Sequence, residues 1–382
     1  TRVRSSAASD VYKRQMYGYT EFFIKVNEMN RQYINFSLNA CCICTTSKVV
    51  WFVHWGMPAL FKYNFEREKI ILVREIPNVS YGKAGSGFKT IIEINDKLFL
   101  IPCRADNIVV YDIKQDKFTE IELKSPAEVM FSKGFLINGK IYCIPYLYDW
   151  IVSVDIDTYD IEYLINWKSE LNIIGDGLNI DAASIAKETI FCIIPMTNVL
   201  IKFNYISKKI ELARINGLSN IISICCIDQK VYVYDNDSME ICILDSQLKN
   251  VEFKRKINVK NVDLHSVLNT YIVIDCIHES KQFYYDKNLN YVRESIHNCT
   301  EKKYMKSFYS VSCWSDYNAH NDLQCVLYED DELQVFNKNA SKSYNIRITE
   351  NEAVCMRKEL AKELSFYENP LMNLNDWIKQ LI

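Results

Sequence analysis

Seven apolar-Asp/Asn pairs, each closing a strand-like run, predict an all-β chain of seven four-stranded blades, a β-propeller, with six or eight blades as alternatives and a short helical tail at the C-terminus. The pairs are Tyr63-Asn64, Tyr111-Asp112, Val154-Asp155, Phe203-Asn204, Leu244-Asp245, Tyr285-Asp286 and Phe336-Asn337, spaced by 48, 43, 49, 41, 41 and 51 residues. Units of that length made of short strands cannot bury their faces singly and must stack on one another. The second observation is aromatic content: 25 Tyr, 18 Phe and 6 Trp in a chain that is 49% apolar supply the large rings that sheet-on-sheet packing uses. The third is proline, which recurs at one place in three copies, Pro102, Pro145 and Pro195, where a strand end needs no further ladder donor.

In chain order, Thr1 to Gln15 precede the first methionine and read as translated adapter sequence, set apart from the fold. Phe22 to Val26 forms a candidate strand that either supplements the last blade or precedes the first. The first copy starts near Ile34 and continues through Val49 to Val53, Leu60 to Asn64 and Ile70 to Arg74. The second is the clearest: Phe88 to Ile94, a turn at Asn95-Asp96-Lys97, Leu98 to Pro102, a loop over Cys103 to Asn107, Ile108 to Ile113, and Phe118 to Leu123. Asn and Asp favour that turn because they tolerate left-handed backbone angles and bond their own main chain two residues on, and the same chemistry is expected of the repeated Asp/Asn after each third strand. The third copy uses Phe135 to Asn138, Ile141 to Pro145, Ile151 to Ile156 and Ile161 to Ile165. The fourth uses Ile190 to Pro195, Leu200 to Phe203 and Ile210 to Ile215. The fifth and sixth keep Val231 to Tyr234 with Glu240 to Leu244, and Tyr271 to Asp275 with Lys281 to Tyr285. The seventh uses Phe308 to Cys313, Leu323 to Leu327, Leu333 to Phe336 and Ser343 to Ile348, with an insertion at Trp314 to Asp322. Innermost strands are expected near Ile91, Leu136, Ile185, Ile224 and Val267. The period then changes to helical: Thr349 with Glu352 forms a capping box, and Trp377, Ile378 and Leu381 form an apolar stripe. The expected domains are therefore 16–348, the propeller, and 349–382, a helical extension docked on it.

The repeat resembles the broad β-propeller class that includes kelch and related bacterial repeats, over nearly the whole chain. The paired glycines of kelch blades and the Trp-Asp ending of WD repeats are both absent, so the resemblance implies an architecture and transfers no site residue.

A net charge of −3 argues against a nucleic-acid binder, and the longest basic stretch, Lys249 to Lys260, reads as the solvated edge of an outer strand. No stretch after Met16 has the charged start and apolar core of a signal peptide, and none is apolar enough to span a membrane, so the expected location is cytoplasmic unless a signal peptide was lost by truncation. Fourteen cysteines, most of them inside strand runs (Cys143, Cys192, Cys225, Cys226, Cys242, Cys276, Cys325), fit a reducing compartment, where free Cys packs as a small apolar residue.

Loops joining strands two and three, and those crossing between blades, are expected on one face around the central channel. They carry His54, Trp55, Arg104, Asp106, Tyr146, Tyr148, Asp149, Trp150, His278 and Glu279, with Tyr81, Lys83, Trp167, Asp176 and Asp181 from the crossings. From these, Trp55, Arg104, Tyr146, Tyr148, Asp149, Trp150, Trp167, Asp176 and Asp181 form the expected ligand site, rings stacking on apolar faces while acids fix hydroxyls or amines. The competing use of the same rings is to fill the gaps between blades. The expected function is non-catalytic binding of a protein partner or a glycan-like ligand. Its rival is an enzyme acting on a carbohydrate or polyol through Asp149, Asp176 and Asp181.

No cofactor or metal is called for. Gly82 to Gly87 lacks the Lys-Ser/Thr of a phosphate loop, and Cys41-Cys42-x-Cys44 lacks a second pair at zinc spacing. No nucleophile elbow accompanies the five histidines. The insertion with Asp316, His320 and Asp322 is a candidate cation or partner loop. Oligomeric state is not written in the sequence.

Overall fold

The computed structural model describes residues 40–45, 49–54, 59–67, 69–77, 79, 87–172, 180, 183–245, 247–267, 270–276, 281–296, 313–315, 323–328, 332–337 and 341–345. All of these lie within one compact unit, Asn39–Ile346. Phe22 to Val26, the tail beyond residue 348, Trp55, Tyr81, Lys83, Asp176, Asp181, His278, Glu279, Asp316, His320 and Asp322 lie outside the described residues. Among the described residues no helix is long and apolar enough to cross a membrane.

The strands form seven four-stranded antiparallel sheets, each a simple meander in chain order, over residues 40–75, 88–121, 131–166, 183–214, 221–256, 262–296 and 313–345. The second sheet shows the plan: Phe88–Ile94, Lys97–Pro102, Ile108–Asp112 and Lys117–Ile121, within two residues of the bounds expected from sequence. The largest departure is in the seventh, whose first described strand is Cys313–Ser315, so Trp314 and Ser315 belong to a strand rather than an insertion.

Local chemistry sets this plan. The first hairpin of the second, third, fourth and fifth sheets closes through two residues. Left-handed angles at Asn95 and Asp96, Asn138 and Gly139, and Asp228 and Gln229 match the turn whose twist suits paired strands. In the first six sheets the repeated Asp or Asn at the end of the third strand folds the next turn onto its own carboxylate or amide oxygen. Asn64 Oδ1 accepts from the Glu66 and Arg67 amides, Asp112 from Lys114 and Gln115, Asp155 from Asp157 and Thr158, and Asn204 from Ile206 and Ser207, all at 2.8–3.1 Å. Asp245 and Asp286 do the same across slightly longer turns. The fourth strand is the solvent edge, as in Val251–Lys256, the basic stretch identified from sequence, whose Lys254 pairs with Glu240 at 3.1 Å.

Apolar clusters lie between consecutive sheets rather than within one. Trp51 and Val53 meet Ile91 and Tyr111; Ile92 and Phe99 meet Ile141 and Val154; Phe135 and Ile151 meet Ile190 and Phe203; Phe191 and Leu200 meet Ile224 and Val233; and Tyr232 and Ile241 meet Leu264 and Ile274. First strands carry the contacts from sheet to sheet, and Ala40–Thr45 of the first sheet lies against 313–315 and 323–328 of the seventh. First strands are therefore innermost, but their apolar members are not what faces the middle. Ile91 and Ile224 are buried in the inter-sheet clusters, and Leu136 and Ile185 pack against them, because the apolar side chains partition into the sheet interfaces.

Candidate functional site

Among the described residues, several of the loop positions expected to form a binding mouth serve as structural ties. In the second, third and fifth sheets loop two-to-three is knotted to the residue before the innermost strand. The Gly87 carbonyl accepts from the Cys103, Arg104 and Ala105 amides at 2.8–3.2 Å, Met130 from Tyr146 at 2.8 Å, and Asn220 from Asn236 at 2.8 Å. In the third sheet the knot is reinforced from behind by a four-residue helix, Trp167–Glu170, capped by the Asn166 side chain. Trp167 is fully buried and donates its indole N–H to the Tyr148 carbonyl at 2.7 Å. Tyr148 is buried too, its ring edge-on to Phe131 and its hydroxyl donating to the Lys124 carbonyl. These two positions are corrected from ligand anchors to packing residues: the crossing loop tucks under as a helix and drives its indole into the interface between the third and fourth sheets.

The structure does bring Tyr146, Tyr148, Asp149, Trp150 and Trp167 together. Asp149 is exposed and paired with Lys168 at 2.8 Å; half-buried Trp150 stands at 88° to Tyr163, 5.9 Å between ring centres, and packs on the interface of the second and third sheets. Both Trp150 and Tyr163 belong to the outer two strands. Arg104 and Tyr146 are half-buried in their loops. Asp106 lines a shallow polar cleft with Asn107, Glu120 and Glu122, in which the Asn107 amide donates to Glu120 at 3.0 Å.

Titratable groups converge elsewhere, on the innermost strands. Lys89 of Phe88–Ile94, Lys133 of Phe131–Ile137, Ser223 and Cys225 of Ile221–Ile227, and Asp263 and His265 of Val262–Val267 come from four different sheets. Lys133 nevertheless lies within electrostatic reach of Asp263, Cys226, Cys225 and Lys89. Bulges at the start of three of these strands, between Phe88 and Thr90, opposite Ile144/Pro145 and between Ile221 and Ser223, break the strict alternation and re-aim side chains there.

The Lys133 ammonium donates to the Ala183 carbonyl at 3.1 Å. Burial lowers it to about 7, with the Asp263 carboxylate opposing the shift and Lys89 adding to it. The Ser223 hydroxyl donates to Asp263 at 2.7 Å and accepts from the Leu264 amide at 2.9 Å. Burial raises the Asp263 carboxyl above the ordinary range, against the Ser223 hydrogen bond and the Lys133 charge. His265 is 1% exposed, and among the described residues neither ring nitrogen has a hydrogen-bond partner. Burial, then the Lys133 charge, lowers its imidazole to about 4, so it is neutral at pH 7. The neighbouring thiols are inert, since burial pushes Cys226 up to about 12 and Cys225 well above its ordinary value. Among the described residues no three His, Cys, Asp or Glu side chains are placed to hold a metal.

Sequence reasoning missed this cluster because its members lie one to two repeats apart. The signal was present as polar residues interrupting the start of otherwise apolar innermost runs: Lys89-Thr90, Ser132-Lys133, Ser184, Ser223 and Asp263-x-His265.

No family model matches the chain, and no curated protein matches its sequence. Solved structures do match its fold. Virginiamycin B lyase from Staphylococcus aureus superposes with a TM-score of 0.60 at 12% identity, over 80% of this chain and 99% of that one. A catalytically inactive form of the lyase, determined with quinupristin, gives 0.60 at 13%, over 80% and 98%. PorZ, described as an essential surface component of the type-IX secretion system of Porphyromonas gingivalis, gives 0.54 at 10%, over 83% of this chain and 39% of that one. At such identities the likeness shows the fold alone, and that fold is a β-propeller.

Proposed function

We propose that this chain is a non-catalytic, seven-bladed, cytoplasmic propeller whose ligand sits against the innermost strands rather than among the loop rings. The observation that carries the reading is His265, fully buried, with no hydrogen-bond partner for either nitrogen among the described residues and within electrostatic reach of Lys133. Buried polar groups are otherwise hydrogen-bonded, and leaving one unmet costs about 1–3 kcal/mol, a cost that a bound molecule removes. Similar folds serve both as a lyase and as a secretion-system component, so the architecture itself is neutral between catalysis and assembly. The seven sheets and the contact between the first and seventh support the blade number. A protein or glycan partner at the loop face is the weaker version of the reading, because Tyr148 and Trp167 are packing residues.

A second reading, proton-transfer chemistry on a polyol, draws support from Lys133 near 7 beside an Asp263 carboxyl raised toward it, a pairing suited to acid-base work at neutral pH. Calorimetric titration with sugars, polyols and small organic acids, run on wild type, Lys133→Met and Trp150→Ala, tests the first reading. Binding lost in Lys133→Met and kept in Trp150→Ala is the expected result, and the reverse pattern returns the site to the loop face. Mass spectrometry of the bound compound after incubation separates binding from turnover.

A further inference from the structure

We infer that a second copy of this chain docks on the outer edge of the fourth sheet, Lys209–Arg214, pairing antiparallel about Ile210 so that Lys209 of each copy meets the partner's Glu211. An outer strand offers unpaired N–H and C=O groups, and chains commonly blunt such edges with bulges. The first, third, fifth and sixth sheets do so: one extra residue, Val73, Leu164, Glu252 or Val292, sits in each outer strand. The outer strands of the second, fourth and seventh sheets run without a bulge, and Lys209–Arg214, at six residues, is the longest of these three. It also exposes apolar surface: Leu212 is 47% exposed and Ile206, in the turn before it, 59%.

The strand's own hydrogen bonds fix which groups face outward. The Ile215 amide donates to the Asn198 carbonyl at 2.9 Å, and the register of the pair then turns Lys209, Glu211 and Ala213 inward. The N–H and C=O of Ile210, Leu212 and Arg214 therefore point away from the sheet. Two copies related by a two-fold axis keep facing side chains on one face only if the axis stands beside a residue, not between two. At Lys209, Glu211 or Arg214 the axis sets like charges together. At Leu212 or Ala213 no charged residue meets its opposite. At Ile210 the copies exchange ladder bonds through that residue, each Lys209 faces the partner's Glu211, and Leu212 lies over the apolar stem of the partner's Lys208. Existing ion pairs survive: Glu211 keeps Lys202 at 3.0 Å on its other side, and Lys208 stays with Glu162. The lysines that would repel a second edge in another register thus meet carboxylate or apolar groups in this one. One short edge buries little area, so the dimer is weak and exchanges with monomer.

The test uses the full chain. Sedimentation velocity over a concentration series reads self-association, and hydrogen exchange reads the Ile210 and Leu212 amides. Expected are a monomer–dimer equilibrium and protection of the Ile210 amide that rises with concentration. Lys209→Glu alone sets two pairs of carboxylates together, and Glu211→Lys alone two pairs of ammonium groups, so each should weaken dimerisation about tenfold or more. In an equimolar mixture of the two variants one copy supplies both carboxylates and the other both ammonium groups. The mixture should therefore dimerise more tightly than either variant alone by the same factor. An unfolded variant cannot restore dimerisation, so the mixture reads the interface independently of stability. Should Glu211→Lys fail to fold, Leu212→Lys, which sets lysine opposite the partner's Lys208, reads the same register and should also weaken the dimer. A dimer that the charge swaps leave unchanged, or a mixture no tighter than its components, overturns the pairing. A chain that stays monomeric up to millimolar concentration overturns the edge as a seat for a second copy.

Discussion

Three kinds of residue decide whether this chain holds together. The repeated Asp or Asn at the end of the third strand is one: in the first six sheets it accepts two backbone amides that would otherwise have only water. Replacing Asp155 or Asp245 by Ala removes both bonds and is expected to lower the denaturant midpoint, whereas Asn, already used at positions 64 and 204, should lower it by less than half as much. Asp155, Asp245 and Asp286 all have carboxyls held below their ordinary value, the first two chiefly by backbone amides. Their contribution is therefore complete above the unfolded carboxyl range and is lost as pH falls through the folded value.

A second kind is Gly134 on an innermost strand, where a Cβ would stand 2.9 Å from Ile101 Cγ1 across the interface of the second and third sheets. Gly134→Ala should cost about 1–3 kcal/mol by overpacking, read as a lower denaturant midpoint. Lys133 is the third kind. Its amine sits near 7 when folded against an ordinary 10.5, so at neutral pH the unfolded chain binds more protons and stability rises as pH climbs from 7 toward 10.5. Lys133→Met should then raise stability at pH 7, on the order of 2–5 kcal/mol at most, and flatten that slope; an unchanged slope would place Lys133 in open water. His265 acts at the other end. Its imidazole near 4 makes stability complete above about 6.5 and progressively lost between there and 4.

At the level of single elements, the sequence was most legible where local chemistry and long-range packing agreed. Strands such as Phe88–Ile94 and Lys281–Tyr285 alternate or run apolar between Asn/Asp turns, and the structure reproduces their bounds closely. The short helix Trp167–Glu170 was not legible. Four residues carry no period, and an aromatic in a loop has the same sequence signature whether it is offered to solvent or folded inward. What decides is the Tyr148 carbonyl waiting for an indole N–H, a partner nineteen residues away. The interior cluster was illegible for the same reason at longer range. Lys89, Lys133, Asp263 and His265 each read as one polar position on an ordinary strand, and only the stacking of sheets makes them neighbours. Trp167→Ala is expected to cost about 3–5 kcal/mol of stability, the scale of a buried aromatic truncation, with ligand affinity unchanged in protein that remains folded. An affinity loss at undiminished melting temperature would restore the loop residues to the site.

For the molecule as a whole, the question is whether the sheets form an open stack or a closed ring. Each of the first five interfaces is a continuous apolar cluster between sequence neighbours, so the stack by itself would fray from either end as a linear repeat array does. The contact of Ala40–Thr45 with 313–315 and 323–328 joins the two ends, and in a closed ring the first sheet has no free face from which to fray. Val326 offers a way to open that joint through the backbone alone. It pairs with Ser315 on one side and Gln334 on the other, so proline there removes a ladder donor from an interior strand position and clashes with its neighbours. In a closed ring, Val326→Pro should strip hydrogen-exchange protection from Ala40–Thr45 and Val49–His54, some 270 residues away in sequence, as strongly as from the seventh sheet itself. Protection in the fourth sheet, on the far side of the ring, should fall least. If the first sheet keeps its protection while only the sixth and seventh lose theirs, the sheets form an open stack, and the convergence of Lys89 with Asp263 would have to arise from curvature alone rather than from closure.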